Sequence, residues 1–203
     1  LAKRVISMKL QLSPRLYHRI VRPKWLTEHY IYRHVRRHFA LDGRYVLDFG
    51  SGTGANCRLF APTHYLGVDP DTERIEYARR MYPGYAFQVM REGRLPVGDN
   101  SLDYILIVAV LHHIDSGQIR AYLKEFRRTL KPTGTIIVME PCFEDKTPIC
   151  NTFMRWMDRG KYVRRPAEYI GLFEEHGYAC NVLQQFRKCA LYRELFFSAS
   201  PKL

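Results

Sequence analysis

Residues 46–54 read Val-Leu-Asp-Phe-Gly-Ser-Gly-Thr-Gly, in which a short apolar strand runs directly into three alternating glycines. Glycines at this spacing let the backbone turn sharply and approach a ligand closely. Asp69 ends the next predicted strand, 19 residues beyond Gly50, where a carboxylate can accept hydrogen bonds from both ribose hydroxyls of a nucleoside. Glycine turns also occur for purely structural reasons, but the framing strands and the distant acid together favour a nucleoside site.

From residue 44 onward, β-branched runs alternate with amphipathic helical patterns, which is typical of βα units on a parallel sheet. The predicted strands are 45–49, 65–69, 85–90, 103–109, 135–139, 179–186 and 194–199, and the predicted helices are a short one near Gly54, then 71–82, 116–130 and one opening at Pro166. The last two strands are too close together for a parallel crossover and must be antiparallel. The sequence therefore predicts an α/β fold with a doubly wound, mostly parallel seven-stranded sheet, an antiparallel last strand and helices on both faces.

The net charge of +12 is concentrated near the start of the chain. Residues 1–40, here called the basic arm, contain ten Lys or Arg and one acid, for a net charge of +9. Helical spacing of apolar residues over 14–40 predicts a helical arm, and 41–203 form the remaining domain. Three roles stay open for the arm: a lid on the active site, a segment that binds an anionic membrane surface, and a merely solvated face. No nucleic-acid reader motif is recognisable, so we expect no DNA partner and consider an RNA partner less favoured.

The cysteine pattern and the lengths of the apolar stretches indicate the cellular compartment that the sequence favours. The five cysteines are scattered without a C-x-x-C pair, which favours free thiols in a reducing cytoplasm over a disulfide framework or a structural zinc site. The longest apolar stretch, 104–111, has eight residues, whereas a membrane-spanning helix needs about 20. We therefore expect a cytoplasmic protein without a metal, either free or held peripherally at the inner membrane face by the basic arm.

The acid inside the glycine motif bears on the kind of nucleoside. NAD does not require Asp48, because its pyrophosphate is bound by helix N–H groups, whereas a carboxylate suits a ligand with an ammonium group. In this respect the sequence resembles the class I S-adenosylmethionine-dependent methyltransferases over residues 44–140. The matching segments, in order, are the glycine loop, Gly67-Val68-Asp69, Leu95-Pro96-Val97 with Asn100-Ser101-Leu102-Asp103, Val110-Leu111-His112-His113-Ile114, and Leu130-Lys131-Pro132-Thr133-Gly134.

This resemblance implies that S-adenosylmethionine is the cofactor and assigns residues to it. Gly50, Ser51 and Gly52 would lie against its methionine part, Asp69 would hold the ribose, and Pro70 would sit near the adenine.

Two further residues are expected to bind the cofactor. They are Asp48, the acid inside the glycine motif, and Ala109, which ends the fourth predicted strand. Many relatives have an acid that binds the adenine amino group, but this chain has Arg91 at that position with Glu92 beside it. Either Glu92 substitutes after a one-residue shift, or the backbone alone holds the adenine.

Candidate groups for chemistry follow the fourth and fifth strands. His112 and His113 lie where an open α/β sheet places its ligand crevice, and an imidazole suits proton removal near neutral pH. Positioning alone can also drive methyl transfer. For the acceptor we expect contacts from Glu140, at the end of the fifth strand, and from the aromatic and cationic segment after it; the residues chosen there are Arg155, Trp156 and Tyr162.

Three functions fit these features. The favoured one is methyl transfer from S-adenosylmethionine to a small-molecule or lipid-type acceptor. The second is a peripheral phospholipid-headgroup N-methyltransferase whose basic arm binds an anionic bilayer. The third is a non-catalytic nucleoside-binding or RNA-associated protein of the same fold.

Overall fold

The computed structural model describes residues 24–91, 93–143, 161–188 and 192–202. Within these residues the strands form one seven-stranded sheet of order β3-β2-β1-β4-β5-β7-β6. The strands are β1 Val46–Phe49, β2 Tyr65–Asp69, β3 Ala86–Val89, β4 Leu102–Val108, β5 Leu130–Pro141, β6 Tyr178–Lys188 and β7 Tyr192–Pro201. Strands β1 to β5 pair in parallel, and β7 runs antiparallel to both β5 and β6. The predicted fold class is confirmed.

Four helical segments accompany the described strands. They are α1 (Lys24–Thr27 and Arg33–His38, joined by the π-helical turn Glu28–Tyr32), α2 Thr72–Met81, α3 Ser116–Thr129 and α4 Pro166–Glu174. Asp71 and Asp115 cap α2 and α3 by accepting hydrogen bonds from the N–H groups of Arg74 and Gln118, which satisfies donors that a helix start leaves open.

The described apolar residues form two clusters, one on each face of the sheet. In β4, Ile105 and Ile107 belong to one cluster while Leu106 and Val108 belong to the other, because successive side chains of a strand point to opposite faces. Helices α3 and α4 cover the first face, and α1 and α2 cover the second. The sheet is therefore buried on both sides, as its apolar strands require.

The prediction of a short helix beginning near Gly54 is wrong. The chain there forms successive turns and the single 3-10 turns Cys57–Leu59 and Pro62–His64 before β2 begins. Gly54 has a φ of +79°, and Pro62 follows within eight residues, so the interval is too short for a stable α-helix.

Helix α1 packs against the turns that follow the glycine loop. Ile31 and Val35 are buried in the cluster that also contains Cys57, and the hydroxyl of Tyr32 donates a hydrogen bond of 2.8 Å to the carbonyl oxygen of Ala55. The described part of the basic arm thus supports the glycine loop from behind. Residues 1–23 of the arm lie outside the described residues.

A histidine makes the packing of α1 sensitive to pH. The ring of His34 stacks on Phe186 with centroids 4.5 Å apart. Burial lowers the pKa of His34 from its ordinary value of 6.5, and a side-chain hydrogen bond with Gln184 opposes part of this shift. Because the unfolded chain then binds this proton more readily than the folded one, His34 contributes stability above the unfolded pKa, which is lost as the pH falls through the lowered pKa.

We therefore expect the wild-type protein to lose more free energy of unfolding than His34→Phe between about pH 7 and pH 5. The phenylalanine keeps the stacking on Phe186 but cannot take up a proton. Urea denaturation of both proteins across this range measures the difference. Parallel pH profiles would contradict the assignment.

Candidate active site

A crevice of about 450 Å³ opens at the carboxyl ends of the parallel strands, centred on β1, β2 and β4. The chain leaves β1 toward β2 and β3 on one side and later returns to β4 and β5 on the other. Such a switch in strand order is where open α/β sheets bind ligands. The described lining residues are Phe49, Gly50, Ser51, Gly52, Thr53, Ala55, Asn56, Asp69, Pro70, Asp71, Arg74, Met90, Val108, Ala109, Val110, His113, Ile114, Gln118 and Tyr122.

The glycine loop forms the floor of the crevice. Gly50 and Gly52 have φ values of +73° and +53°, a region that side chains disfavour. The N–H groups of Gly50 and Ser51 both donate to the carbonyl oxygen of Val68, at 2.8 and 2.9 Å. A Cβ on Gly50 would lie 2.5 Å from a methyl group of Val110. The loop therefore requires glycine at position 50 for both conformation and space.

Asp69 is held by the loop that it faces. One carboxylate oxygen accepts a hydrogen bond of 2.9 Å from the N–H of Gly52, and the other accepts one of 2.9 Å from the N–H of Asp71. Burial raises the pKa of Asp69, and these two N–H groups oppose the rise. The crevice thus presents a carboxylate of fixed orientation, with the exposed Pro70 beside it.

Asp48 lies behind the crevice wall. It is fully buried and accepts hydrogen bonds from the hydroxyl of Tyr65 at 2.7 Å and from the side-chain amide of Asn56 at 3.4 Å. Asn56 lines the crevice. Asp48 is therefore connected to the crevice by its hydrogen bond with Asn56. Nothing in the sequence distinguished Asn56, except that it is a polar residue two positions after the third glycine.

Two buried polar atoms of the crevice lining lack a hydrogen-bond partner within the described residues. Within the described residues, neither Oγ of Ser51 nor Oδ1 of Asn56 has a hydrogen-bond partner. Leaving such groups unsatisfied is costly, so they commonly meet a ligand or water. Both atoms belong to residues that line the crevice in or just after the glycine loop, so the site suits a polar ligand there.

The two residues considered for the adenine amino group, Arg91 and Glu92, are not among the described residues that line the crevice. Arg91 is exposed and, with Arg79 and Arg94, lines a neighbouring cavity of about 570 Å³; among the described residues, the lining of the crevice does not include it. Glu92 lies outside the described residues. Met90 lines both cavities and supplies apolar surface on this side of the crevice, which sequence reasoning missed.

Ala109 lines the crevice in a strained conformation. Its φ is +57°, which costs energy for a residue with a Cβ and is common at functional sites. Its N–H donates to the carbonyl oxygen of Met139 at 2.8 Å. This turn directs the chain from β4 into the histidine segment.

The two histidines take different positions. His113 is exposed and lines the crevice, whereas His112 is buried beneath it, and their ring centroids are 3.9 Å apart. Nδ1 of His112 lies 2.8 Å from a carboxylate oxygen of Glu140. Glu140 is fully buried and, in the part of the chain that is described, is not among the residues that line the crevice.

The segment predicted to contact the acceptor is described only in part. The N–H of Tyr162 donates to the carbonyl oxygen of His112 at 3.0 Å, so the exposed Tyr162 lies beside the histidine segment. Arg155 and Trp156 lie outside the described residues. From α3, Gln118 and Tyr122 complete the wall, and no local sequence signal pointed to them.

A family model described as "Methyltransferase domain" matches residues 46–134, the stretch from β1 to β5 that builds the crevice. This match supports the predicted resemblance to the class I S-adenosylmethionine-dependent methyltransferases. It agrees with S-adenosylmethionine as the predicted cofactor. The matched stretch includes the glycine loop, Asp69 and both histidines.

Comparisons with individual methyltransferases agree with this placement. Over 102 residues the chain is 35% identical to demethylmenaquinone methyltransferase of Tropheryma whipplei, a match that covers 48% of this chain and 42% of that protein. Over 106 residues it is 33% identical to a Bos taurus protein named "Probable tRNA methyltransferase 9B", covering 51% of this chain and 23% of that protein. The chain thus spans less than half the length of either relative.

Solved methyltransferase structures share the whole fold. An S-adenosylmethionine-dependent methyltransferase of Thermotoga maritima superposes with a TM-score of 0.72 at 20% identity and covers 93% of this chain and 98% of its own. One from Aquifex aeolicus has a TM-score of 0.66 at 19% identity, with coverage of 93% and 99%. Among the described residues, no helix combines the length and apolarity needed to cross a membrane.

Proposed function

We propose that this chain transfers a methyl group from S-adenosylmethionine to a small-molecule or lipid-type acceptor in the crevice. The observation that supports this most directly is Asp69, buried at the end of β2 and fixed by the N–H of Gly52 where the glycine loop turns. When bound, S-adenosylmethionine supplies a methyl group on a sulfonium, which a nucleophile displaces in line with a neutral thioether as the leaving group.

The residues present fit that cofactor. Asp69 would accept hydrogen bonds from the two ribose hydroxyls, and the glycine loop would lie against the methionine part. The polar atoms without partners on Ser51 and Asn56 would then be satisfied by the amino-acid end of the ligand. Met90 and Pro70 provide surface on which an adenine can pack. A volume of about 450 Å³ is in the range of cofactor and small-ligand sites.

We assign the acceptor to the side of the crevice formed by β4 and α3. Val110, Ile114 and Tyr122 make this side largely apolar, which suits an acceptor with an apolar or aromatic portion. His113 is the exposed basic group there, and it would take the proton that an acceptor hydroxyl or ammonium loses. The relative named demethylmenaquinone methyltransferase supports the same class of acceptor.

The proposal is tested with S-adenosylmethionine labelled in its methyl group. Purified protein is incubated with a small-molecule extract, a lipid extract and total RNA, and Asp69→Ala serves as the control. We expect label in the small-molecule or lipid fraction, and far less label with the control variant when S-adenosylmethionine is kept below saturation. Label in RNA would overturn the acceptor class, and no transfer by a protein that binds the cofactor would overturn catalysis.

Replacing His113 by glutamine should lower kcat by roughly 100-fold or more, because general-base catalysis typically contributes about 10²- to 10⁴-fold. Cofactor affinity should change little, since the glutamine keeps the size and polarity of the lining. Steady-state kinetics with the labelled acceptor measure kcat, and calorimetry measures affinity.

His176→Gln provides the matched histidine substitution, because His176 lies just beyond the end of α4 and, among the described residues, is not part of the crevice lining. It should keep the wild-type kcat. Full turnover by His113→Gln would show that His113 is not a base and that positioning alone drives the reaction.

A further inference from the structure

Glu140 is a buried carboxylate that the proposed transfer does not yet use. At the end of β5 it is fully inaccessible to solvent. One oxygen accepts hydrogen bonds from the N–H groups of Val110 and Leu111, at 2.6 and 2.8 Å. The other accepts from the N–H of His112 at 3.3 Å and faces its Nδ1 at 2.8 Å. Three consecutive backbone donors and one ring nitrogen therefore converge on a single carboxylate.

This arrangement determines the proton position on His112. A carboxylate accepts hydrogen bonds and cannot donate them, so Nδ1 of His112 must be the protonated nitrogen. In the neutral ring, Nε2 is then the nitrogen without a proton. The partner of one ring nitrogen sets the role of the other, as in metal sites and proton-transfer sites.

A second buried charged side chain binds the turn that contains His112 and His113. Arg164 is buried, and its guanidinium donates to the carbonyl oxygens of Leu111 at 3.0 Å and Ile114 at 2.9 Å, and to the hydroxyl of Ser116 at 3.2 Å. The carboxylate thus binds N–H groups of the turn, and the guanidinium binds its carbonyl groups. Charged hydrogen bonds of this kind are stronger than neutral ones.

The turn between these two charges includes the group that faces the acceptor. It begins directly after the strained Ala109 and contains His113, whose N–H bonds the carbonyl oxygen of Val110 at 3.0 Å. The ring of His113 lies against that of His112. A shift of Glu140 or of the His112 ring would therefore move the exposed histidine within the crevice.

We propose that Glu140 is a positioning residue: it fixes His112 with its proton on Nδ1 and holds the turn 110–114 so that His113 faces the acceptor. The inference depends on the proposed function for its effect on turnover, but its effect on His112 is independent of any acceptor. It differs from the sequence-based expectation, in which Glu140 contacts the acceptor itself.

The test compares Glu140→Gln with Glu125→Gln. The first variant keeps the size of the side chain but replaces one acceptor oxygen by an NH₂ group, which opposes the donors of His112. The second changes another partly buried carboxylate, one that accepts from the N–H of Leu95 and from Arg128 away from the crevice. Two measurements are made on each: the ¹H–¹⁵N spectrum of the histidine rings with S-adenosylhomocysteine bound, and the separate values of kcat and of KM for S-adenosylmethionine.

We expect Glu140→Gln to move the His112 proton from Nδ1 to Nε2 and to lower kcat at least tenfold, with KM within about twofold of wild type. Glu140→Asp should keep the wild-type tautomer and recover part of kcat. Glu125→Gln should change neither the tautomer nor kcat. Should Glu140→Gln fail to fold, Glu140→Asp and Arg164→Lys allow the same comparison with a perturbed rather than a broken contact.

An unchanged tautomer and kcat in Glu140→Gln would overturn the proposal, as would an equal loss of kcat in Glu125→Gln. If the wild-type protein transfers no methyl group to any fraction, the proposed function fails, and the tautomer spectra still decide whether Glu140 fixes His112. The two failures are therefore distinguishable.

Discussion

Asp69→Ala should weaken the binding of S-adenosylmethionine and of S-adenosylhomocysteine at least tenfold. The substitution removes the carboxylate that is aimed into the crevice from the end of β2. Losing charged hydrogen bonds to two ribose hydroxyls costs roughly 1.5–3 kcal/mol, which corresponds to about a tenfold or greater rise in Kd. Isothermal titration calorimetry on the folded variant measures the effect directly.

The pH dependence of this affinity provides a second readout. Because burial raises the pKa of Asp69, the carboxylate loses its charge at a higher pH than an ordinary aspartate. Affinity should therefore begin to fall during mild acidification in the wild-type protein and stay flat in Asp69→Ala. A flat wild-type profile would contradict this expectation.

Asp99→Ala serves as the matched control for this substitution. Asp99 pairs with Arg128 at 2.6 Å on the surface, and exposed ion pairs contribute little. The control should bind the cofactor as the wild type does. Equal affinities of Asp69→Ala and the wild type, in a variant shown to be folded, would overturn the site assignment.

Gly50→Ala should destabilise the folded protein by about 2–5 kcal/mol. A left-handed conformation costs a residue with a Cβ roughly 1–2 kcal/mol, and overpacking a fixed position costs about 1–3 kcal/mol more. Both terms apply, because Gly50 has a φ of +73° and its Cβ would lie 2.5 Å from a methyl group of Val110. Denaturant unfolding measures the sum.

Two further variants separate the conformational cost of Gly50→Ala from the cost of the clash with Val110. Gly43 also has a positive φ, of +68°, but a Cβ there meets nothing within 4 Å, so Gly43→Ala should show the conformational cost alone. Adding Val110→Ala to Gly50→Ala should recover the part caused by the clash. A double variant no more stable than Gly50→Ala would show that Val110 is not the obstacle.

The sequence predicted the sheet and a crevice at the glycine loop because both depend on local patterns. Apolar strands separated by helical periodicities predict parallel pairing, and parallel pairing brings the end of β1 next to the ends of β2 and β4. The positions of Gly50 and Asp69 follow from that rule alone, since Gly50 directly follows β1 and Asp69 is the last residue of β2. The absence of a helix after Gly54 was not predicted, because it depends on tertiary packing: α1, which precedes β1 in the chain, covers the same cluster.

What the sequence by itself determined is therefore the order of the strands along the chain, the family resemblance, and the ends of strands at which polar groups gather. Only the tertiary structure decided which of these groups enter the crevice. Glu140 and His113 both belong to the same edge of the sheet, yet Glu140 is buried against the N–H groups of residues 110–112 and His113 is exposed. The physical reason is that a buried carboxylate must be satisfied by donors, and these donors lie 28 to 30 residues away along the chain. No local pattern encodes that contact.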